Sequence, residues 1–206
     1  MKHLEIPITD EVIRSLKVGD PVGLTGVILT GRDTVHKWMI ETFIKNAREP
    51  QDDDQEVYEA INPLLDGGII YHCGPVVSGL ETADYKFVAA GPTTSIREEP
   101  YQGDVMSHFN IKGVIGKGGM GPKTLQACHE VPGVYLHAIG GAASLIAQSV
   151  QRVLGVYKLD YGVPEAIWVI EVKDFPAVVT MDAHGSSLHA QVEVSSKSVL
   201  DELLTV

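Results

Sequence analysis

Three apolar, β-branched runs in this chain stop in the same way, at a glycine followed at once by polar or cationic residues. "VGLTGVILT" runs into "GRD", "YKFVAAG" into "PTTSIR", and "GVIG" into "KGGMG". Runs of this kind read as strands, and glycine punctuates their ends. Helix-period segments lie between and after them. Few architectures accept that alternation: a sheet covered by helices does, and such sheets collect ligands at the carboxyl ends of their strands. Arg32, Thr93, Thr94, Arg97 and Lys117 all fall at these breaks.

The remaining pattern extends this reading. Residues 10–17 read as a short helix and 22–30 as a strand. After Gly31, the residues Val35, Trp38, Met39 and Phe43 recur at helical spacing, with Asp33 placed to cap them. Segment 48–66 is polar and acidic, a loop with a helical piece. Strands are expected over 67–74 and 85–91, and a strand entering a glycine turn over 113–119. A helix is expected over 122–130, a strand and turn over 133–141, and a helix over 142–154. Late strands are expected over 166–172, 177–182 and 187–194, with 182–187 as a hairpin turn. The chain has 206 residues and is 44% hydrophobic, enough for one full core. The sum is an α/β protein, a single domain of mixed sheet covering 1–206.

Charge narrows the partners. A net charge of -11 and a sequence pI near 5.1 argue against nucleic acid or an anionic membrane as a partner, since phosphate binding needs a concentrated basic patch. Part of the acid excess is local: "QDDDQEVYE" at 51–59 reads as a solvated loop and helix start. The N-terminus has no apolar core of signal-peptide type, and no apolar run approaches the ~18–20 residues of a membrane span. The expected location is the cytoplasm. The two cysteines, Cys73 and Cys128, lack CxxC spacing. They make no disulfide framework and cannot alone hold a zinc ion or an iron–sulfur cluster.

The polar strand ends suggest an anion receptor. Two guanidiniums offer bidentate forks to carboxylates, and lysine adds a point charge. Paired threonines each donate and accept a hydrogen bond, and among cations one such oxygen can take a proton. Simpler roles stand beside these. Arg32 with Asp33 makes a plausible surface ion pair, and Thr93-Thr94 after Gly91-Pro92 a helix cap. Lys117 in "GKGG" lacks the GxxxxGK[ST] spacing of a phosphate loop. "IGGAAS" lacks GxGxxG and reads as close packing. His72 and His184 have no second metal ligand at helical spacing.

Taken together, "GVILTGRDTVHK", "GPTTSIR", "IGKGGMG", "YLHAIGGAASLIAQ", "PEAIWVIEVKDFPAVVTMD" and "HGSSL" resemble the C-terminal domain, or β subunit, of the class I fumarase and L-tartrate dehydratase family of iron–sulfur hydro-lyases. The resemblance runs from about Val22 to Leu188, and segment 48–62 looks like an insertion. It implies a swivelling β/β/α domain. It also implies a [4Fe-4S] cluster held by three cysteines of a partner α subunit, none bound by this chain, in a hetero-oligomer of α2β2 type. The substrate would be a small dicarboxylate, with no nucleic acid and no membrane involved. Residue by residue, Arg32, Thr94, Arg97 and Lys117 match the family's substrate-binding positions, and Thr93 matches its proton-abstracting base. His36 lies in the first motif, but on the helix after Arg32. Two departures stand out: "REE" where many relatives read "RMD" or "RME", placing Glu98 at a methionine position, and "GKGGMG" in place of "AKGN". The implied activity is reversible hydration of fumarate to (S)-malate. A β subunit of L-tartrate dehydratase is the alternative, and a non-catalytic dicarboxylate-binding domain is an alternative of another class.

Overall fold

The structure is a computed structural model that describes residues 1–51 and 53–205. The elements in chain order are β1 (Lys2–Glu5), α1 (Asp10–Arg14), β2 (Pro21–Thr30), α2 (Asp33–Met39), α3 (Asp54–Leu65), β3 (Ile69–Tyr71), β4 (Val76–Ser78), β5 (Lys86–Ala89), α4 (Glu99–Phe109), β6 (Gly113–Gly116), α5 (Pro122–Glu130), β7 (Val134–His137), α6 (Ala143–Ala147), β8 (Val150–Tyr157), β9 (Ile167–Met181) and α7 (Leu188–Leu204). A π-helical turn, Ile40–Ile44, extends α2, and a 3₁₀ turn, Ser95–Glu98, leads into α4.

The main sheet runs β1-β2-β3-β6-β7-β9-β8 and is mixed, as expected. Strands β2, β3, β6 and β7 are parallel. The long strand β9 is antiparallel to both β7 and β2, so the sheet returns on itself and β2, β3, β6, β7 and β9 close a ring. Val178 marks the closure: it pairs with Pro21 on one side and His137 on the other. Side chains alternate along these strands with the period of two that a pleated strand imposes. Ile69, Tyr71, Ile115, Leu136, Trp168, Ile170 and Phe175 form one core with the ring's other strands. Ile70, Val114, Tyr135 and Val169 form a second core with the helices. Burying each large apolar side chain contributes about 1.5–3 kcal/mol. Gly26 sits at a bulge between β2 and β9, at φ +128°, where a Cβ would come within 2.9 Å of the Ile6 carbonyl.

Several expectations are corrected. Segment 142–154 is not one helix: α6 ends at Ala147, and Val150–Tyr157 is strand β8. Its β-branched Val150, Val153 and Val156 pair along β9, and that pairing outweighs local helix preference. The two late strands at 166–172 and 177–182 are one continuous strand, β9. Segment 187–194 is the start of helix α7, not a strand; the Ser187 hydroxyl caps it by accepting from the Ala190 amide. Turn 182–187 therefore joins a strand to a helix. Asp182 organises it, accepting from the amides of His184 and Ser186 at 3.0 Å each.

Candidate active site

Parallel pairing in near-level register brings the carboxyl ends of β2, β3, β6 and β7 together. Thr30 lies opposite Tyr71, Tyr71 opposite Ile115, and Gly116 opposite His137. The chain from Pro92 to Ser95 is stitched across this edge. The Thr93 amide donates to the His72 carbonyl at 2.7 Å, the Lys117 amide to the Thr93 carbonyl at 3.1 Å, and the Ser95 amide to the Lys117 carbonyl at 3.1 Å. The Thr93 turn thus wedges between the ends of β3 and β6 as a one-rung strand. Gly116 permits it: a Cβ there would stand 1.8 Å from Ser95 Oγ. The result is an open ledge, with Thr93 and Lys117 partly buried and Thr94 and Arg97 exposed.

Both arginines reach this ledge with carboxylate partners. Arg32 Nη1 lies 2.8 Å from Glu165 Oε1, and Arg97 Nη2 lies 2.5 Å from Asp33 Oδ1. The sequence pairing of Arg32 with Asp33 is therefore not made; each takes a partner from a distant segment. Nor does Asp33 cap α2: Arg32 is the capping residue, without a side-chain bond. Burial pushes the Asp33 carboxyl up, but the Arg97 guanidinium outweighs it and holds the group below the ordinary carboxylate range. Arg32 Nε and Glu165 Oε2 are buried without partners. Lys117 takes part in no ion pair among the described residues.

Beneath the ledge lies a buried polar layer. His36 and His72 are fully buried, with ring centroids 5.2 Å apart. Burial pushes the pKa of His36 down, and burial together with His36 pushes that of His72 well down. Each places its Nε2 2.9 Å from the Gln102 side chain. His36 Nδ1 lies 2.8 Å from the Arg32 carbonyl, and His72 Nδ1 lies 2.8 Å from Ser95 Oγ, which Tyr135 also reaches at 2.9 Å. Glu98 is buried beside Arg97, with one oxygen unpartnered. Burial, and secondarily the Asp33 charge, raise its carboxyl to about 7. Its neighbour Glu99 caps α5 instead, accepting from the amides of Gly121 and Lys123 at 2.8 and 2.9 Å.

Of the sequence candidates, Arg32, Thr93, Thr94, Arg97 and Lys117 share this end of the sheet. His36 does not; it lies under the ledge. Thr94 precedes the 3₁₀ turn without a side-chain cap, and the Thr93 hydroxyl donates to the His72 carbonyl at 3.1 Å. Neither threonine is a simple helix cap. Gln102, Glu165 and His137 gave no sequence signal as site residues, since each meets its neighbours only through tertiary structure. His137 ends β7 with its Nδ1 buried and unpartnered. No group of three or more His, Cys, Asp or Glu stands together as metal ligands among the described residues. Cys73 and Cys128 are buried in the two separate cores, and burial raises each thiol to about 12. These residues do not fit an iron–sulfur cluster.

A family profile described as Fumarase C-terminus matches residues 2–192. A Geobacillus stearothermophilus protein provisionally named class I fumarate hydratase is 53% identical over 199 residues, covering 97% of this chain and 35% of that protein. The chain thus spans about a third of that relative's length. A Methanocaldococcus jannaschii protein provisionally named L(+)-tartrate dehydratase subunit beta is 39% identical over 206 residues, 99% of each chain. The L(+)-tartrate dehydratase subunit beta of Escherichia coli K12 is 35% identical over 192 residues, 92% of this chain and 87% of that one. With nearly the whole chain matched, this protein belongs to the fumarase C-terminal family, to which class I fumarate hydratase and the β subunit of L(+)-tartrate dehydratase also belong.

Proposed function

We propose that this chain is the β subunit of a two-subunit hydro-lyase that interconverts fumarate and (S)-malate at a site shared with an α subunit. One observation carries the reading: Thr93, Thr94, Lys117, Arg32 and Arg97 are assembled on one strand-end ledge by backbone bonds between otherwise distant segments. The ledge is open, whereas charge stabilisation during reaction needs a site from which water is excluded. A second surface must cover it, and the β-subunit names of two relatives point the same way.

In this reading Lys117, free of ion pairs among the described residues, and the two arginines bind the substrate carboxylates. They stabilise the aci-carboxylate that forms when a proton leaves the carbon beside it. Thr93 takes that proton. Its hydroxyl donates to the His72 carbonyl at 3.1 Å, so the oxygen keeps its lone pairs for accepting. To act as a base the oxygen must shed that hydrogen, and the cations on the ledge favour the anionic form. A [4Fe-4S] cluster, in this reading, would be held by the α subunit; this chain's two thiols, buried in separate cores, would not supply its ligands.

Tartrate is the second reading, favoured by two relatives of matching length. The higher identity of the Geobacillus relative favours fumarate. Anaerobic co-expression with a cluster-bearing partner, followed by assays on fumarate, mesaconate and tartrate, tests both. Fumarate hydration is the expected result. Tartrate dehydration without it would move the assignment to the second reading. Dicarboxylate binding without turnover in any assembly would make the chain a binding domain.

A further inference from the structure

We infer that Gln102, on α4, is a positioning residue that presents its side-chain NH2 to the bare Nε2 atoms of His36 and His72, and so locks the Arg32 turn to the Thr93 turn. The inference rests on the functional reading above for what those turns do, but its geometry stands apart from it.

Donor and acceptor counting decides which end of the amide faces the rings. His36 Nδ1 lies 2.8 Å from the Arg32 carbonyl, which can only accept, so Nδ1 carries the hydrogen. A neutral His36 then has a bare Nε2, and the group 2.9 Å from it must donate. Placed with Oε1 toward the rings, the amide sets oxygen against that bare nitrogen and leaves its own Nε2 buried without a partner. Turned over, one NH2 hydrogen serves His36 and the other serves His72. His72 then donates from Nδ1 to Ser95 Oγ at 2.8 Å. All four ring nitrogens are satisfied, which burial of such groups requires.

The oxygen-first orientation suits only an imidazolium at His36, donating from both nitrogens. That charge would sit in a fully buried ring 5.2 Å from a second imidazole. The carboxylate nearest His36 in its own turn, Asp33, is already taken by Arg97. Burial therefore favours the neutral ring.

Through this one amide, segments from four strands are joined. The Arg32 carbonyl follows β2. His72 follows β3, and its carbonyl receives both the amide and the hydroxyl of Thr93. Ser95 is tied by its amide to the Lys117 carbonyl after β6, and Tyr135 lies on β7. Gln102 thus sets where the Thr93 oxygen stands relative to the Arg32 turn. A misplacement of about 1 Å in a reacting group costs on the order of 100-fold in rate.

Nitrogen NMR of the histidine-labelled full chain at pH 7 reads the tautomers directly. His36 and His72 should both appear as neutral rings protonated at Nδ1. An imidazolium at His36, or an Nε2-protonated ring at either position, overturns the amide assignment. In Gln102→Glu the carboxylate can only accept, so His36 should become an imidazolium and His72 should move its proton to Nε2. Unchanged rings would overturn the contact itself. In the assembled enzyme, Gln102→Glu and Gln102→Leu should lower kcat by roughly 10–100-fold with KM little moved. Wild-type kcat in either variant overturns the positioning role. Nδ1 tautomers in a chain whose assemblies handle no dicarboxylate would instead overturn the functional reading and leave the amide assignment standing.

Discussion

At the scale of single residues, the proposed function distinguishes groups that bind, Arg32, Arg97 and Lys117, from a group that reacts, Thr93. Thr93→Val deletes a hydroxyl and keeps β-branched shape. If the oxygen takes the proton, kcat should fall by about 100-fold or more with KM nearly unchanged, while loss of the bond to the His72 carbonyl costs only about 1 kcal/mol of stability. Steady-state kinetics and a thermal midpoint on the reconstituted complex separate the two, and Thr94→Val should be milder. Arg97→Ala and Arg32→Ala should each lower kcat/KM by roughly 10–150-fold, as for a lost bond to a charged group. Lysine should restore only part, since the fork is gone. Glu98 adds a pH dependence. Its folded pKa of about 7 lies above the ordinary carboxyl value, so the folded chain holds an extra proton between about 4.5 and 7. Stability from this group is fully present below that window and declines as pH rises through it. Glu98→Gln should therefore stabilise the fold at pH 8 by on the order of 3 kcal/mol, read as a higher Tm, and change little at pH 4.5. An unchanged Tm difference across that range would remove Glu98 as the source.

At the scale of elements, the acidic segment is more than a solvated run. Asp52 lies outside the described residues, but Asp54 is buried. It accepts from Trp38 Nε1 at 2.8 Å and pairs with Arg48 and Lys158, each at 2.6 Å. Lys158 is itself buried, so α3 is pinned to the turn after β8. Asp54→Asn leaves part of that positive charge uncompensated and should cost about 3 kcal/mol, measured by denaturant unfolding at pH 7. This contact could not be read from sequence because its partners are 104 residues apart. The same limit explains other elements. Strand ends at Gly31 and Gly116, and helices over 33–39 and 122–130, were legible from period and glycine position. Helix α4 was hinted at only through the capping role weighed for Thr93-Thr94: its buried face, Gln102, Val105, Met106 and Phe109, begins with a polar residue, and Gly103 interrupts it. Gln102, on that helix, gave no signal. Residues 150–157 carry a helix-compatible pattern that becomes a strand only because β9 offers an edge. The ledge cations were legible because backbone breaks announce them; their carboxylate partners were not.

At the scale of the whole molecule, the chain should be colourless and inactive alone. Reconstitution of the purified chain with iron and sulfide should give no cluster absorbance, since its two thiols are buried apart. The closed ring governs something else, the order in which this protein comes into being. β2 emerges in synthesis well before its partner β9: Pro21 waits for Val178. Until then β2 has an unsatisfied edge, and the core that Trp168, Ile170 and Phe175 complete stays open to water. Pairing across such a separation belongs to the slow class of folding, milliseconds to seconds. A fragment of residues 1–160 should be cut rapidly by protease where the full chain resists, and refolding should show no protected β2 amides before β9 docks. From the time β2 is made until β9 follows it, a nascent chain is therefore exposed to aggregation.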